Sequence, residues 1–180
     1  MRRAAAIAAV MIACGVSGVA AYQLAPPPMQ DLAHWREIAW PFPRDGWPVG
    51  RAFRCDGACA GTELYVRAKR GFCNCDRGVA DDDEVDRVAD VDLISPRFAA
   101  AAPGEEVGFG EMRGRARRYD LDMYDGARRA AIGFAVSRRC DLLVAVAQGA
   151  GDANDLQRAT LAFLETEEMK QWMVAALDGR

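Results

Sequence analysis

At 180 residues, with 51% hydrophobic and 27% charged residues, the chain fits one globular domain and is not disordered, collagenous or coiled-coil as a whole. Its net charge of -3 argues against general nucleic-acid binding, and no nucleic-acid partner is expected. A single histidine, His34, excludes a His-rich zinc or copper centre and is the one residue that could serve a Ser-His-Asp triad. The phosphate loop G-x-x-x-x-G-K-S/T and the haem motif C-x-x-C-H are absent. The stretch Gly108-Phe109-Gly110-Glu111-Met112-Arg113-Gly114 misses the dinucleotide pattern G-x-G-x-x-G by one residue and reads as strand and turn, not as a helix start.

The N-terminus has Arg2 and Arg3, an uncharged apolar stretch over residues 4–13, the helix breakers Gly15, Ser17 and Gly18, and then Val19-Ala20-Ala21, small residues of the kind signal peptidase reads. Residues 1–21 are therefore expected to be a signal peptide that delivers the rest outside the cytoplasm, into the periplasm. Two other fates stay open. The uncharged run over residues 4–25 could span a bilayer core of about 30 Å as a retained membrane anchor. Met11-Ile12-Ala13 is a tolerable lipobox, which makes Cys14 a candidate lipidation site. In each case Arg2 and Arg3 stay inside.

Residues 22–49 read as a proline- and aromatic-rich arm, opening with the stiff spacer Ala25-Pro26-Pro27-Pro28, and residues 50–180 as a single domain. In the arm, one or two helical turns are predicted over 30–38, carrying Leu32, Trp35 and Ile38. Trp40-Pro41-Phe42-Pro43-Arg44-Asp45-Gly46-Trp47-Pro48 forbids regular structure, and its aromatics are expected to pack on the domain. Strands are predicted over 50–55, 62–69, 106–112, 115–121, 130–137 and 140–148, with 130–137 and 140–148 as a hairpin and 140–148 central. A short helix over 82–91 presents Val85, Val88 and Ala89. Two C-terminal helices follow. Asn154 or Asp155 caps the first and Thr166 the second, along which Met169, Trp172, Met173, Ala176 and Leu177 share a face. The fold class is α+β: an antiparallel sheet of about five or six strands with the C-terminal helices packed on one face.

Beyond Cys14 the cysteines are Cys55, Cys59, Cys73, Cys75 and Cys140, and in an exported chain they are disulfide candidates. A turn at Asp56-Gly57-Ala58 lets Cys55 bridge Cys59. A straight strand over 62–69 rises about 26 Å, which carries Cys73 and Cys75 out of reach of that turn and leaves Cys140 to bridge one of them. A kinked hairpin would permit the nested pairs 55–75 and 59–73 instead. The alternative chemistry is a thiol-redox or thiolate-metal site for copper or zinc on Cys55, Cys59, Cys73 and Cys75, although C-x3-C-x13-C-x-C is not a zinc-ribbon spacing.

Residues 81–92 carry seven carboxylates and one arginine but lack the glycine of a calcium loop, so their plainest role is at a helix start. Arg113, Arg115 and Arg117 alternate on one side of a strand-turn-strand, a face that either pairs with the acids or meets an anionic partner, such as lipid headgroups or an acidic protein. No carboxylate pair stands out for acid-base work, so no catalytic residue, cofactor or metal is assigned.

Three segments, Trp40-Pro41-Phe42-Pro43, Arg67-Ala68-Lys69 with Gly71-Phe72-Cys73-Asn74-Cys75, and Gly78-Val79-Ala80-Asp81-Asp82-Asp83-Glu84, resemble uncharacterised exported proteins of α-proteobacteria. The resemblance spans about a third of the chain and implies a compartment without an activity. The expectation is an exported, disulfide-stabilised cell-envelope domain of binding or accessory type that meets an envelope protein or an anionic surface.

Overall fold

The computed structural model describes residues 35–59, 61–71, 78–79 and 81–179. The expectations placed on residues 1–34, on Cys73 and on Cys75 lie outside these residues. Eight strands form one antiparallel sheet: β1 Trp35–Ile38, β2 Arg51–Cys55, β3 Thr62–Lys69, β4 Phe98–Ala100, β5 Glu105–Phe109, β6 Met112–Asp122, β7 Arg128–Arg138 and β8 Asp141–Gly149. Their order is β1-β2-β3-β8-β7-β6-β4, and β5 shares the outer edge of β6 with β4. Among the described residues four α-helices accompany the sheet: α1 Asp82–Val88, α2 Val91–Ile94, α3 Ala153–Leu164 and α4 Glu167–Leu177.

The α+β class and the antiparallel sheet are as expected, but there are eight strands where five or six were predicted. One addition is β1, which replaces the helical turns expected around Trp35 and Ile38. Three residues apart, these two side chains point to opposite faces of a strand. Trp35 stacks on Phe163 at 4.7 Å, while Ile38 joins the opposite layer. The other addition, β4, is three residues on the edge of β6. A third difference is the position of a turn. The break expected near 113–114 falls instead at Gly110-Glu111, where Gly110 has φ +59° and Phe109 pairs with Met112. A two-residue hairpin loop with positive φ at its first position favours glycine there.

Strand alternation sorts the side chains into two layers. Leu64, Val66, Ile132, Phe134, Val136, Leu143 and Ala145 face α3 and α4, which contribute Leu156, Leu164, Met169, Met173 and Leu177. The C-terminal helices therefore share one face, as predicted. Asp152 caps α3 in place of the expected Asn154 or Asp155, and Thr166 caps α4 through a bond from the Met169 N–H. On the opposite face, Tyr65, Tyr119, Ala131, Leu142, Val144 and Val146 meet Val85, Val88 and Val91, with Trp40 and Phe42 of the arm beside them. There α1 approaches so closely that a Cβ built on Gly133 would lie 2.8 Å from the Ala89 Cβ.

Met173 is fully buried, whereas Trp172 is half-buried with the Arg51 guanidinium 5.6 Å from its ring centre. Met173→Ala should cost about 2–5 kcal/mol in urea unfolding, and Trp172→Ala less, despite the larger side chain.

Candidate functional site

Odd-numbered residues of β6 and β3 project onto the α1 face of the sheet. They put Arg113, Arg115, Arg117 and Tyr119 on one side of it and Glu63, Tyr65, Arg67 and Lys69 on the other. Arg113, Arg115 and Arg117 sit on one continuous strand, not across a turn. The acidic run lies over this face, and Asp82, Asp86 and Asp90, four residues apart, each meet basic side chains of the sheet.

Asp81 caps α1 by accepting from the Glu84 N–H. Asp82 Oδ1 accepts from Arg115 Nε at 2.9 Å and Nη2 at 2.7 Å, and Oδ2 accepts from the Gly104 N–H at 2.9 Å. One turn on, Asp86 accepts from Arg117 Nη1 at 2.6 Å and from the Tyr119 hydroxyl at 2.7 Å. The Tyr119 hydroxyl is pushed above its ordinary pKa by burial and by its bond to Asp86. Asp90 lies past the helix end with φ +62° and accepts from Arg67 Nε at 2.6 Å, Arg67 Nη2 at 2.9 Å and Lys69 Nζ at 2.5 Å. Lys69 also donates to the Val88 carbonyl at 2.9 Å. Arg67 reaches Asp45 of the arm at 2.9 Å and lies 5.8 Å from the Trp40 ring centre. Burial alone would raise the Asp45 pKa, but bonds from Arg67 and the Trp47 N–H hold it below its ordinary value.

A second polar group lies where β2, β3, β8 and β7 run side by side. Glu63 accepts from the Tyr65 hydroxyl at 2.6 Å, from Gln148 Nε2 at 2.8 Å and from Arg54, while Arg129 donates to Gln148 Oε1 at 3.0 Å. Burial pushes the Glu63 pKa up, but the bonds from Tyr65 and Arg54 leave it lowered overall.

A cleft of about 700 Å³ opens beside the β5–β6 hairpin, lined by Arg113, Arg115, Glu106, Ser137, Gly108 and Val79 among others. The near-miss glycine stretch forms part of its wall. Arg115 is held by Asp82, whereas Arg113 donates only to the main-chain carbonyls of Gly110 at 2.6 Å and Met112 at 3.0 Å.

Cys55 and Cys59 form a disulfide with a Cα separation of 5.6 Å, both buried beneath the turn Gly57–Cys59. Two of the four ligands in the thiolate-metal alternative are therefore oxidised to a disulfide and are not metal-binding thiolates. Cys140 is also disulfide-bonded, and its partner lies outside the described residues. Among the described residues, no group of three or more His, Cys, Asp or Glu side chains is placed to hold a metal ion, and no helix is long and apolar enough to cross a membrane.

The arginine stripe and the acidic run were visible in the sequence, and their pairing was one of the two readings offered there; it holds for Arg115 and Arg117, but which acid meets which base was not legible. The four-residue spacing of Asp82, Asp86 and Asp90 against alternating basic residues on two strands was the available signal. Asp45 and Glu106 carried none.

No protein-family model matches the chain, and no curated protein does. Among solved structures it is similar to a protein of unknown function, PA94 from Pseudomonas aeruginosa, with 13% identity, a TM-score of 0.36, and coverage of 77% of this chain and 78% of that one. Similarity of that degree assigns neither a fold nor a function.

The Gly104 N–H and the Arg115 guanidinium hold the Asp82 carboxyl below its ordinary pKa. Asp82 in the folded chain thus gives up its proton more readily than in the unfolded chain. Its contribution is present above the unfolded value of about 4 and is lost as pH falls through the folded value. Asp82→Asn should therefore lower stability at neutral pH and flatten the loss of stability on acidification below about pH 4, as read from urea unfolding across that range.

Proposed function

We propose that the protein is an exported, disulfide-stabilised domain of the cell envelope, of binding or accessory type, acting in the periplasm and related to the uncharacterised exported proteins of α-proteobacteria that its sequence resembles. The observation that carries this reading is the disulfide chemistry. Cys55–Cys59 and the bridge at Cys140 engage three cysteines within one domain, and such bonds persist in oxidising compartments. The leader-like N-terminus supports the same address, with cleavage, lipidation at Cys14 or retention through residues 4–25 as the routes to it. On this reading Cys140 keeps the expected bridge to Cys73 or Cys75, which lie outside the described residues, with the other as the odd thiol.

Binding is favoured over catalysis because the charged side chains of the α1 face are largely committed to one another. Arg115 and Arg117, two of the three arginines of the β6 stripe, are engaged by Asp82 and Asp86, and Arg113 is left facing the cleft.

A reporter active only outside the cytoplasm, fused after residue 30, should be active in cells. Activity of a cytoplasm-only reporter at the same junction would refute export. Native mass spectrometry tests the thiol alternative: bound copper or zinc would replace the binding reading with a metal-site one, whereas four half-cystines and no metal are expected.

A further inference from the structure

We infer that the cleft beside the β5–β6 hairpin is a binding site for a small zwitterion, an α-amino acid or a short peptide, whose carboxylate sits on Arg113 and whose ammonium faces Glu106. The inference deepens the binding reading above and does not depend on export.

The β6 arginine stripe is unevenly occupied. Arg115 and Arg117 are matched by Asp82 and Asp86, but the Arg113 guanidinium meets no carboxylate among the described residues. Its two bonds, to the Gly110 and Met112 carbonyls, both use Nη1, so Nε and Nη2 remain to meet a carboxylate in the paired geometry that guanidinium groups favour.

Glu106 is exposed, lines the same cleft and has no ion pair or side-chain hydrogen bond among the described residues. It stands opposite Arg115 in the ladder, and Gly108, two residues along the strand, stands opposite Arg113. Two residues of strand rise about 6.6 Å, so the two charges belong to diagonal neighbours whose long side chains can converge on one small molecule. With Arg115 neutralised by Asp82, the described residues lining the cleft carry one unmatched positive and one unmatched negative charge. A simple anion is attracted by Arg113 and repelled by Glu106, and a simple cation meets the reverse. Only a ligand carrying both charges satisfies both groups. Val79 supplies apolar wall for its carbon skeleton.

The position of the guanidinium is built into the hairpin. A Cβ on Gly108 would lie 2.8 Å from Arg113 Nη1 and 3.1 Å from Arg113 Cδ, so the arginine lies across a residue that has no side chain. This provides a variant that leaves every charge in place. Gly108→Ala displaces the guanidinium, whereas Arg113→Gln and Glu106→Gln each remove one charge.

The test is an NMR titration of the purified, disulfide-bonded protein with glycylglycine, acetate and methylammonium, following the backbone amides of Gly108, Gly110 and Gly114. Glycylglycine should saturate these shifts at about tenfold lower concentration than either singly charged probe. Arg113→Gln and Glu106→Gln should each abolish that advantage, Gly108→Ala should weaken glycylglycine binding, and Arg128→Gln, at an exposed arginine that does not line the cleft, should change nothing. Unchanged amide positions away from the hairpin show that each variant is folded. Acetate binding as tightly as glycylglycine, or an unaltered advantage in Glu106→Gln, would overturn the zwitterion in favour of an anion site. Absence of shifts with all three probes would remove the site altogether. Either result leaves the export reading standing, because the reporter fusion is independent of it.

Discussion

Arg67 and Lys69 project from β3 into the layer beneath α1 with only 3% and 5% of their surface exposed. Removing a charge from water costs several kcal/mol unless a partner and further hydrogen bonds compensate it, so whatever covers this face must bring acids to those two points. Asp90 serves both cations at once, Val88 lends a carbonyl to the lysine, and Asp45 closes the outer side of the arginine. These bonds determine how several segments lie. The chain leaves α1 through a left-handed residue, a conformation that aspartate tolerates better than most. The proline-rich arm is drawn back over β3, where Trp40 and Phe42 pack edge-on to Tyr65.

The same charge matching continues along α1. Asp86 ties Arg117 and Tyr119, and Asp82 ties Arg115 and the Gly104 main chain, so the helix is fixed in register at three points, four residues apart. Between the charged flanks, the centre of the face is filled by Val85, Val88 and Ala89 on residues of β7 and β8, which sets the close approach at Gly133. The acid stripe ends at Asp82, before it reaches Arg113. The cleft therefore opens where the sheet carries a cation, Arg113, that no acid of the helix meets, and in this way the internal pairing marks out the surface available to a ligand.

Local patterns were legible where they were long. The β3 alternation, the β7–β8 hairpin, the short acidic helix and the α4 face all follow from residue periodicity. Short edge strands were not legible. Trp35-Arg36-Glu37-Ile38 has apolar residues three apart, which suits a helical turn as well as a four-residue strand, and only Phe163 of α3 and the edge of β2 decide between them. Asp152, Asn154 and Asp155 are three competent caps within four residues, and their choice depends on where β8 releases the chain. Of the site, the Arg113, Arg115 and Arg117 stripe and the acidic run could each be read. That they oppose each other required the strand order β3-β8-β7-β6, which sets both basic strands on one face with two apolar strands between them. Glu106 looked like any polar residue on an edge strand until β6 placed it at the cleft.

The buried cations on β3 and the acid beyond α1 stabilise the fold as a unit. A double-mutant cycle on Arg67→Met and Asp90→Asn, followed by urea unfolding, tests this most directly. Asparagine keeps both the size and the left-handed backbone of Asp90 while removing its charge. Asp90→Asn alone should cost about 3–5 kcal/mol, and adding Arg67→Met to it should cost much less than Arg67→Met does in the parent, giving a coupling of about 2 kcal/mol. Losses that add to within about 0.5 kcal/mol would show the two residues acting independently and would contradict the account.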